Sequence, residues 1–204
     1  MAYSYVQKNK CVFHITHLNN IPAVIKKGIL SKNLVQKERI QFKDISEDKI
    51  QEVRARKVIP FTEHTLHDCV PMFFGARPPM LYAVRFKGIL QEEIVYVLVS
   101  WDILKREDVW FTDGNARSDK TNNFYQGEEH LDKVDFNAVE AHYWGEDDEL
   151  KRKRQAEVLK LNSVLLDDIV GFVVYNDSIK IKLESMLIAQ RITKKVFIAR
   201  EFYY

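Results

Sequence analysis

Short apolar runs, rich in β-branched and aromatic residues, constrain the fold of this chain more than any other feature. Runs of this length between polar, turn-forming residues are typical of strands. They lie at residues 11–16, 80–86, 94–100, 156–161, 169–175 and 196–199. Even the longest apolar stretches, such as residues 94–99, are far too short to cross a bilayer, so we predict a sheet-containing fold and no contact with a membrane.

Helical segments alternate with these runs. Asn20 and Pro22 are typical of a helix start and Gly28 of its end, and acidic residues precede basic ones in the second segment, which suits the helix dipole. Ser100 is suited to capping a further helix. Helices are predicted at residues 20–28, 45–57, 100–106, 147–154 and 178–190. The mixture, without a repeat or an obvious linker, predicts an α+β fold.

Two stretches lack helical or strand periodicity. Residues 61–79 hold three prolines, and we predict an irregular connection packed by Phe73 and Phe74. Residues 112–123 are polar and turn-rich. Long ordered connections such as the first often carry function, and we expect the second region to reshape around a substrate.

A length of 204 residues suits one well-cored domain, so we predict a single domain, residues 1–204. Lys and Arg number 31 against 29 Asp and Glu, so contact with a nucleic acid has to be local. The first ten residues lack the apolar core of a signal peptide. Cys11 and Cys69 have no metal-ligand spacing and are expected to be free thiols of a cytoplasmic protein.

Common catalytic motifs are absent. Neither GxxxxGK[ST] nor GxGxxG occurs, and neither GxSxG nor HExxH, which disfavours P-loop, Rossmann and the commonest hydrolase classes. His14 and His17 would point to opposite faces of a strand, so we predict no metal site. A core histidine that bonds a backbone carbonyl is the commoner role for His14, and packing or hydrogen bonding the commoner role for His64 and His67.

Glu157 and the basic run before it are the most unusual charged residues. A carboxylate at the second position of a core strand must lie at a sheet edge or in a cleft, because burying it unpaired costs several kcal/mol. A salt-bridged edge glutamate is the alternative. The run KRKR at residues 151–154 is more often a solvated helix face than a nucleic-acid patch, although its neighbour Glu157 favours the second.

Three further arginines are candidates for binding an anion. Arg54 and Arg56 would point about 200° apart on a helix, so only one can face a given ligand. Arg77 precedes two prolines, which we expect to hold its backbone extended and its guanidinium ready for a phosphate, the alternative being an ordinary surface arginine.

Five motifs, taken in order, resemble those of one protein family. They are VFHITH (residues 12–17), VRARKV (53–58), LHDCVPMFFGARPPMLY (66–82), FTDGNA (111–116) and KRQAEVL (153–159). The ordered set resembles the DarT family of DNA ADP-ribosyltransferase toxins and spans nearly the whole chain. The resemblance implies an ADP-ribosyltransferase fold related to the poly-ADP-ribose polymerases, with central mixed or antiparallel sheets flanked by helices.

The same resemblance implies the substrates and partners. NAD would be the ADP-ribose donor, without a metal, and single-stranded DNA the acceptor, typically at a thymidine base. A DarG-like macrodomain antitoxin would remove the modification. We expect a monomer.

Residue roles carry over by position in the motifs. Glu157 would be the catalytic glutamate and Arg54 the arginine at the reacting base. Residues 36–56 would cover NAD, and residues 115–157 would contain the substrate-recognition loop. The NAD-binding candidates are His14, Ile15, Thr16, Ala23, Ser31, Arg54 and Phe73. The nucleic-acid-binding candidates are Arg77, Asn115, Arg152 and Arg154.

The chemistry explains these residue types. Loss of nicotinamide generates an oxocarbenium-like ribose, which a carboxylate stabilises. An arginine cannot readily act as a base, so Arg54 would polarise the acceptor base instead.

Cys69 and Met72 replace aromatics common in the family, and Phe73 or Phe74 could supply the missing ring face. Two alternatives stay open: a non-catalytic nucleic-acid-binding domain, and a transferase acting on RNA or protein.

Overall fold

The structure is a computed structural model that describes residues 10–204. Its strands are β1 (Cys11–His17), β2 (Ile29–Leu30), β3 (Cys69–Phe73), β4 (Ile94–Ser100), β5 (Val109–Thr112), β6 (Phe124–Tyr125), β7 (Glu157–Leu161), β8 (Ser163–Val164), β9 (Ile169–Val174) and β10 (Lys195–Ile198). They form an eight-stranded sheet in the order β10-β9-β4-β1-β3-β7-β5-β6, and a two-stranded sheet of β2 and β8. Neighbours are antiparallel except for β9 and β10, which makes the sheet mixed.

Short helices flank the sheet. The α-helices are α1 (Ile21–Lys27), α2 (Lys32–Lys37), α3 (Asp48–Arg56), α4 (Pro79–Val84), α5 (Phe136–Glu140), α6 (Asp148–Lys153) and α7 (Asp177–Ala189). The 3-10 helices are Leu18–Asn20, Leu66–Asp68, Arg85–Lys87, Gln91–Glu93, Trp101–Lys105, Glu128–Lys133, Leu166–Asp168 and Arg200–Phe202.

The core forms two layers, one on each face of the sheet. β4 supplies both by strict alternation, because successive side chains of a strand point to opposite faces. Val95, Val97 and Val99 enter the layer covered by α1 and α7, and Ile94, Tyr96 and Leu98 enter the layer covered by α4 and the C-terminal residues. The predicted α+β fold with a mixed sheet flanked by helices is therefore confirmed.

The sheet opens between β1 and β3. These two strands are in register at one residue pair, Phe13 opposite Phe73, whereas β1 and β4 pair along seven residues from Cys11 to His17. The imidazole Nδ1 of His14 reaches across to the carbonyl oxygen of Pro71 at 2.9 Å. This side-chain bond supplements the short backbone pairing between the two strands, and the cleft begins where that pairing ends.

Most predicted elements are confirmed, with shifts of a few residues at their ends. The predicted helix at residues 45–57 begins later, at Asp48, and the helix after Ser100 is a 3-10 helix over Trp101–Lys105, in which Ser100 Oγ accepts from the Asp102 amide.

Two predictions were wrong. Residues 80–86 form α4 and the start of a 3-10 helix instead of a strand, because Pro79 occupies the first helical position, where its fixed φ favours a helix. Residues 61–79 contain a central strand, β3, as well as a connection.

The prediction that the N-terminal residues do not form a signal peptide concerns mainly residues 1–9, which lie outside the described part of the chain. Within residues 10–204, no helix is long and apolar enough to cross a membrane.

Candidate active site

The cleft that begins between β1 and β3 has a volume of about 400 Å³, within the range of about 300–1,000 Å³ typical of ligand sites. Its floor is formed by β1, β3 and the start of β7, and its rim by α1, the segment of residues 40–47, α3 and α4. The second half of the chain contributes few residues to the lining, namely Asn115, Arg117, Lys151, Gln155 and Glu157.

Glu157 lies on the floor of this cleft with 2% of its surface exposed. Arg54 Nη1 donates to both carboxylate oxygens, at 3.2 Å to Oε1 and 3.0 Å to Oε2, and the backbone amide of Ala116 donates to Oε1 at 2.9 Å. β7 lies between β3 and β5, so the edge position considered from the sequence was wrong and the cleft position is correct. The buried charge is tolerated because it is paired and hydrogen-bonded.

Arg54 projects from α3 toward the floor, whereas Arg56 is exposed on the other side of the helix, as their spacing predicts. The second terminal nitrogen of Arg54, Nη2, is buried without a hydrogen-bond partner among the described residues. A buried guanidinium donor is costly when unpaired. The site therefore offers one unsatisfied donor beside the carboxylate.

A loop that follows β5 presents the Ala116 amide to Glu157. Arg152 anchors this loop, since its Nη1 donates to Asp113 Oδ1 at 3.1 Å and to Thr121 Oγ1 at 2.9 Å. Lys57 Nζ donates to the carbonyl oxygens of Ser118, at 2.6 Å, and Thr121, at 3.0 Å. The position of the Ala116 amide thus depends on side chains from both α6 and the end of α3.

The β1 wall carries His14, Ile15 and Thr16, all of which line the cleft. Burial lowers the pKa of His14, so the imidazole is neutral at physiological pH. Because Nδ1 donates to Pro71, Nε2 carries a lone pair and acts as an acceptor. Asn20, which sequence reasoning did not select, joins this wall to the rim: its Nδ2 donates to Thr16 Oγ1 and to the Lys43 carbonyl, both at 3.0 Å.

The remaining NAD-binding candidates divide into two groups. Ala23 and Phe73 line the cleft with Arg54. Ser31 does not line it: the residue is buried, and its hydroxyl accepts from the Leu34 amide as the N-cap of α2. Ser31 therefore shapes the wall through α2.

Sequence reasoning missed the basic side chains around the cleft. Lys27, Lys32, Lys43 and Lys87 line it, and they come from four separate segments of the chain, so no local motif reveals them. Three of them pair with carboxylates, Lys27 with Glu38, Lys32 with Asp44 and Lys43 with Glu93, so a ligand with phosphates would compete with these partners for their charge.

Of the four nucleic-acid-binding candidates, only Asn115 lines the cleft. Arg152 is 8% exposed, and its guanidinium is engaged by Asp113, Glu149 and Thr121. Arg154 is 4% exposed and donates to the carbonyl oxygens of Val139 and Arg77. The expectation of a solvated KRKR face is thus wrong at these two positions, because both side chains are buried and their terminal nitrogens donate to acceptors within the protein.

Arg77 also differs from expectation. Its φ is +58°, a left-handed conformation in place of the predicted extended one, and its guanidinium lies over the ring of Tyr204 at 4.8 Å. Phe74 packs in the core against Trp101, Phe111 and Phe136, so it offers no ring face to the cleft.

The two cysteines are free and buried. Burial raises the pKa of Cys11 to about 11 and that of Cys69 to about 12, so both remain thiols at physiological pH and are poor nucleophiles. Within residues 10–204, no three His, Cys, Asp or Glu side chains are grouped so as to hold a metal ion.

These features define a class of chemistry. A desolvated carboxylate beside a guanidinium, at the end of a cleft with basic walls, can stabilise a cationic sugar transition state while a phosphate-bearing donor occupies the cleft.

Comparison with known proteins identifies the family. Residues 13–204 match the sequence profile of the family described as "ssDNA thymidine ADP-ribosyltransferase, DarT". A "DNA ADP-ribosyl transferase" of Thermus sp. strain 2.9 is 33% identical over 157 residues, which are 72% of this chain and 73% of that protein. A Thermosipho africanus "DNA ADP-ribosyl transferase-DNA ADP-ribosyl glycohydrolase fusion protein" is 32% identical over 148 residues, 72% of this chain. The match spans 38% of the length of that fusion protein.

Solved structures of the same family resemble this fold. Thermus sp. 2.9 DarT in complex with ADP-ribosylated ssDNA superposes with a TM-score of 0.87 at 27% identity, covering 97% of both chains. The same protein in complex with NAD+ gives a TM-score of 0.83 at 26% identity, covering 96% of this chain and 98% of that one. The chain therefore belongs to the DarT family, and it is an NAD-dependent ADP-ribosyltransferase of single-stranded DNA.

Proposed function

We propose that this chain transfers ADP-ribose from NAD to the thymidine base of single-stranded DNA and acts as the toxin of a toxin–antitoxin pair. The observation that carries the proposal is the Arg54–Glu157 pair on the cleft floor, where the carboxylate is 2% exposed and Arg54 Nη2 has no partner among the described residues. The thymidine base is supported by the description of the matching family.

NAD occupies the cleft in this proposal. The basic side chains of Lys27, Lys32, Lys43 and Lys87 balance its phosphates. His14 and Thr16 hold the nicotinamide and its ribose, with the neutral His14 Nε2 accepting a hydrogen bond. Residues 36–56 cover NAD, which is consistent with the cleft-lining residues of 40–47 and α3.

In the transfer step, the bond between nicotinamide and the ribose C1′ breaks and nicotinamide leaves with the electron pair. The Glu157 carboxylate stabilises the oxocarbenium-like ribose and accepts a hydrogen bond from its 2′-hydroxyl. The base nitrogen bonds to C1′ through its lone pair and releases its proton to solvent water. Arg54 stabilises the negative charge that develops on the base, because a guanidinium keeps its own protons.

Asn115 and the loop of residues 115–157 contact the DNA strand. The proposed partner is a macrodomain antitoxin like DarG that removes ADP-ribose from DNA. Support for this pairing comes from the Thermosipho relative, whose name joins a transferase to a glycohydrolase. We further propose a monomer that works in the cytoplasm.

The test incubates the protein with NAD and mixed-sequence single-stranded DNA, duplex DNA and RNA, and measures the mass of each oligonucleotide. We expect ADP-ribose on thymidine-containing single strands, and a rate lower by about 10² to 10⁴ for Glu157→Gln. Glu184→Gln, at a half-buried glutamate of α7 that does not line the cleft, is the matched control and should keep the full rate. Modification of RNA alone, or of strands without thymidine, would contradict the proposed acceptor.

A further inference from the structure

A cluster of aromatic rings and arginines lies beside the cleft and has no part in the mechanism above. Its rings are those of Tyr82, Phe86, Trp144 and Tyr204, which we call the aromatic patch. Tyr82 is central: its ring centroid lies 5.4 Å from that of Phe86, 5.8 Å from that of Trp144 and 5.3 Å from that of Tyr204. All three pairs are edge-to-face, a favourable geometry for aromatic rings.

Two rings of the patch are exposed to solvent, and the other two, those of Trp144 and Tyr204, are half-buried. Phe86 is 77% exposed and Tyr82 39% exposed, and the neighbouring Tyr143 is 80% exposed. Phe86 adds little to the folding core, and its place in a cluster of rings, unlike exposure alone, suits a ligand that covers it.

Arginines contact the rings of the patch. The guanidinium carbon lies 5.6 Å from the Tyr82 ring for Arg85, 5.5 Å from the Trp144 ring for Arg154 and 4.8 Å from the Tyr204 ring for Arg77. These cation–π contacts hold the rings in place and bring three guanidinium groups to the patch. Four acidic residues, 146–149, follow Trp144. Asp147 Oδ1 accepts from the Leu150 amide as the N-cap of α6, and Glu149 pairs with Arg152.

The patch is continuous with the cleft through two elements. In α4, Met80 and Ala83 line the cleft while Tyr82 belongs to the patch. Near α6, Lys151 and Gln155 line the cleft while Arg154 contacts Trp144. A DNA strand whose target base enters the cleft therefore has the patch within reach of its neighbouring nucleotides.

We propose that the aromatic patch is a stacking platform for the unpaired bases that flank the modified base in single-stranded DNA. The proposal rests on the DNA-modifying function argued above and adds a binding site for the strand outside the cleft. Every base has a π-face, so such a platform binds flanking bases with little regard to sequence. Arg77 and Arg154 take part indirectly, by positioning rings instead of binding phosphates.

The test uses Phe86, because a side chain this exposed can be replaced without disturbing the core. Phe86→Leu keeps an apolar side chain and removes the ring, and Phe86→Tyr keeps the ring. Two substrates share one modifiable core: one has ordinary flanking nucleotides, and the other has abasic flanks that keep the phosphates. KM for each oligonucleotide is measured at saturating NAD, and Kd by fluorescence anisotropy in the Glu157→Gln background.

We expect Phe86→Leu to raise KM and Kd by about 5- to 100-fold with ordinary flanks and to leave both unchanged with abasic flanks. Phe86→Tyr should match the wild type, as should Phe61→Leu, at another highly exposed phenylalanine that does not line the cleft. The Kd for NAD should not change in any of these variants.

Two results would overturn the platform: equal binding by Phe86→Leu and wild type on ordinary flanks, or an equal loss on both kinds of flank. Both results are distinguishable from a failure of the proposed function. In that case the wild type modifies no DNA, but the Kd values from anisotropy still show whether binding depends on the flanking bases.

Discussion

Among single residues, the Glu157 carboxylate depends on donors from two distant parts of the chain, Arg54 and the Ala116 amide. Removing one partner of a buried pair leaves an uncompensated charge and costs about 3–5 kcal/mol. We therefore expect Arg54→Gln to lower the free energy of unfolding by up to about this amount, measured by urea denaturation. Glu157→Gln should cost less, because the Arg54 side chain is 11% exposed against 2% for Glu157 and has better access to water.

The double variant separates stability from catalysis. Arg54→Gln with Glu157→Gln has no buried charge left unpaired, so it should be more stable than Arg54→Gln alone and still inactive on DNA. If the two losses of stability simply add, the pair is not coupled and the assignment of Arg54 as the partner of Glu157 is wrong.

Between secondary-structure elements, the loop of residues 113–121 is fixed by a side chain from α6. Arg152 uses its planar guanidinium to bond Asp113 and Thr121 together, which a lysine cannot reproduce. Gly114 packs closely enough that an added Cβ would lie 2.3 Å from Arg152 Nη1. The loop in turn supplies the amide that orients Glu157.

Arg152→Lys should therefore lower kcat by about 10- to 100-fold through misplacement of the carboxylate, with little change in KM for NAD. The measurement is steady-state kinetics with single-stranded DNA. Lys153→Ala is the matched control, since Lys153 is more exposed and pairs with Asp135 away from the loop. A rise in KM for NAD with unchanged kcat would assign Arg152 to binding instead of positioning.

Sequence patterns identified elements whose signals are local. The helix at residues 20–28 was correctly bounded because Pro22 and Gly28 mark its ends, and β9 and β10 were found from their apolar runs. β3 was missed because Pro71 is atypical of a central strand, where a residue without an amide proton breaks the ladder. Only the tertiary arrangement shows that His14 supplies a donor to the Pro71 carbonyl there.

The site was predicted only in part, because its contacts join segments that lie far apart in the sequence. Glu157 and Arg54 stand out by their position in motifs, but their contact joins α3 to β7 across 103 residues of sequence and is visible only in the folded chain. The burial of Arg152 and Arg154 was not predictable from the run KRKR, because their acceptors come from other segments. A run of charged residues in the sequence does not show which of its side chains are exposed, because exposure depends on how the chain packs.

Across the protein as a whole, three histidines couple folding to pH. Burial is the largest cause that lowers the pKa of His14, His17 and His67 below the ordinary value of 6.5. A group whose pKa is lower in the folded protein takes up its proton more readily when the chain unfolds. The stability that these histidines protect is therefore fully present above pH 6.5 and is lost as the pH falls from 6.5 toward their folded pKa values.

We expect the free energy of unfolding, measured in urea between about pH 7.5 and 5.5, to fall with a slope of at most about 1.4 kcal/mol per pH unit for each histidine that stays neutral in the folded state. The lowered pKa values of Asp44 and Asp68 affect stability in a separate, more acidic range, because carboxylates protonate at lower pH.

His67→Gln removes one of the three groups and should reduce the slope near about pH 6 while leaving the more acidic transition in place. An unchanged slope in His67→Gln would show that this histidine does not contribute. A wild-type stability that stays flat across the whole range would contradict the neutral state of all three, including the acceptor role of His14 Nε2 in the cleft.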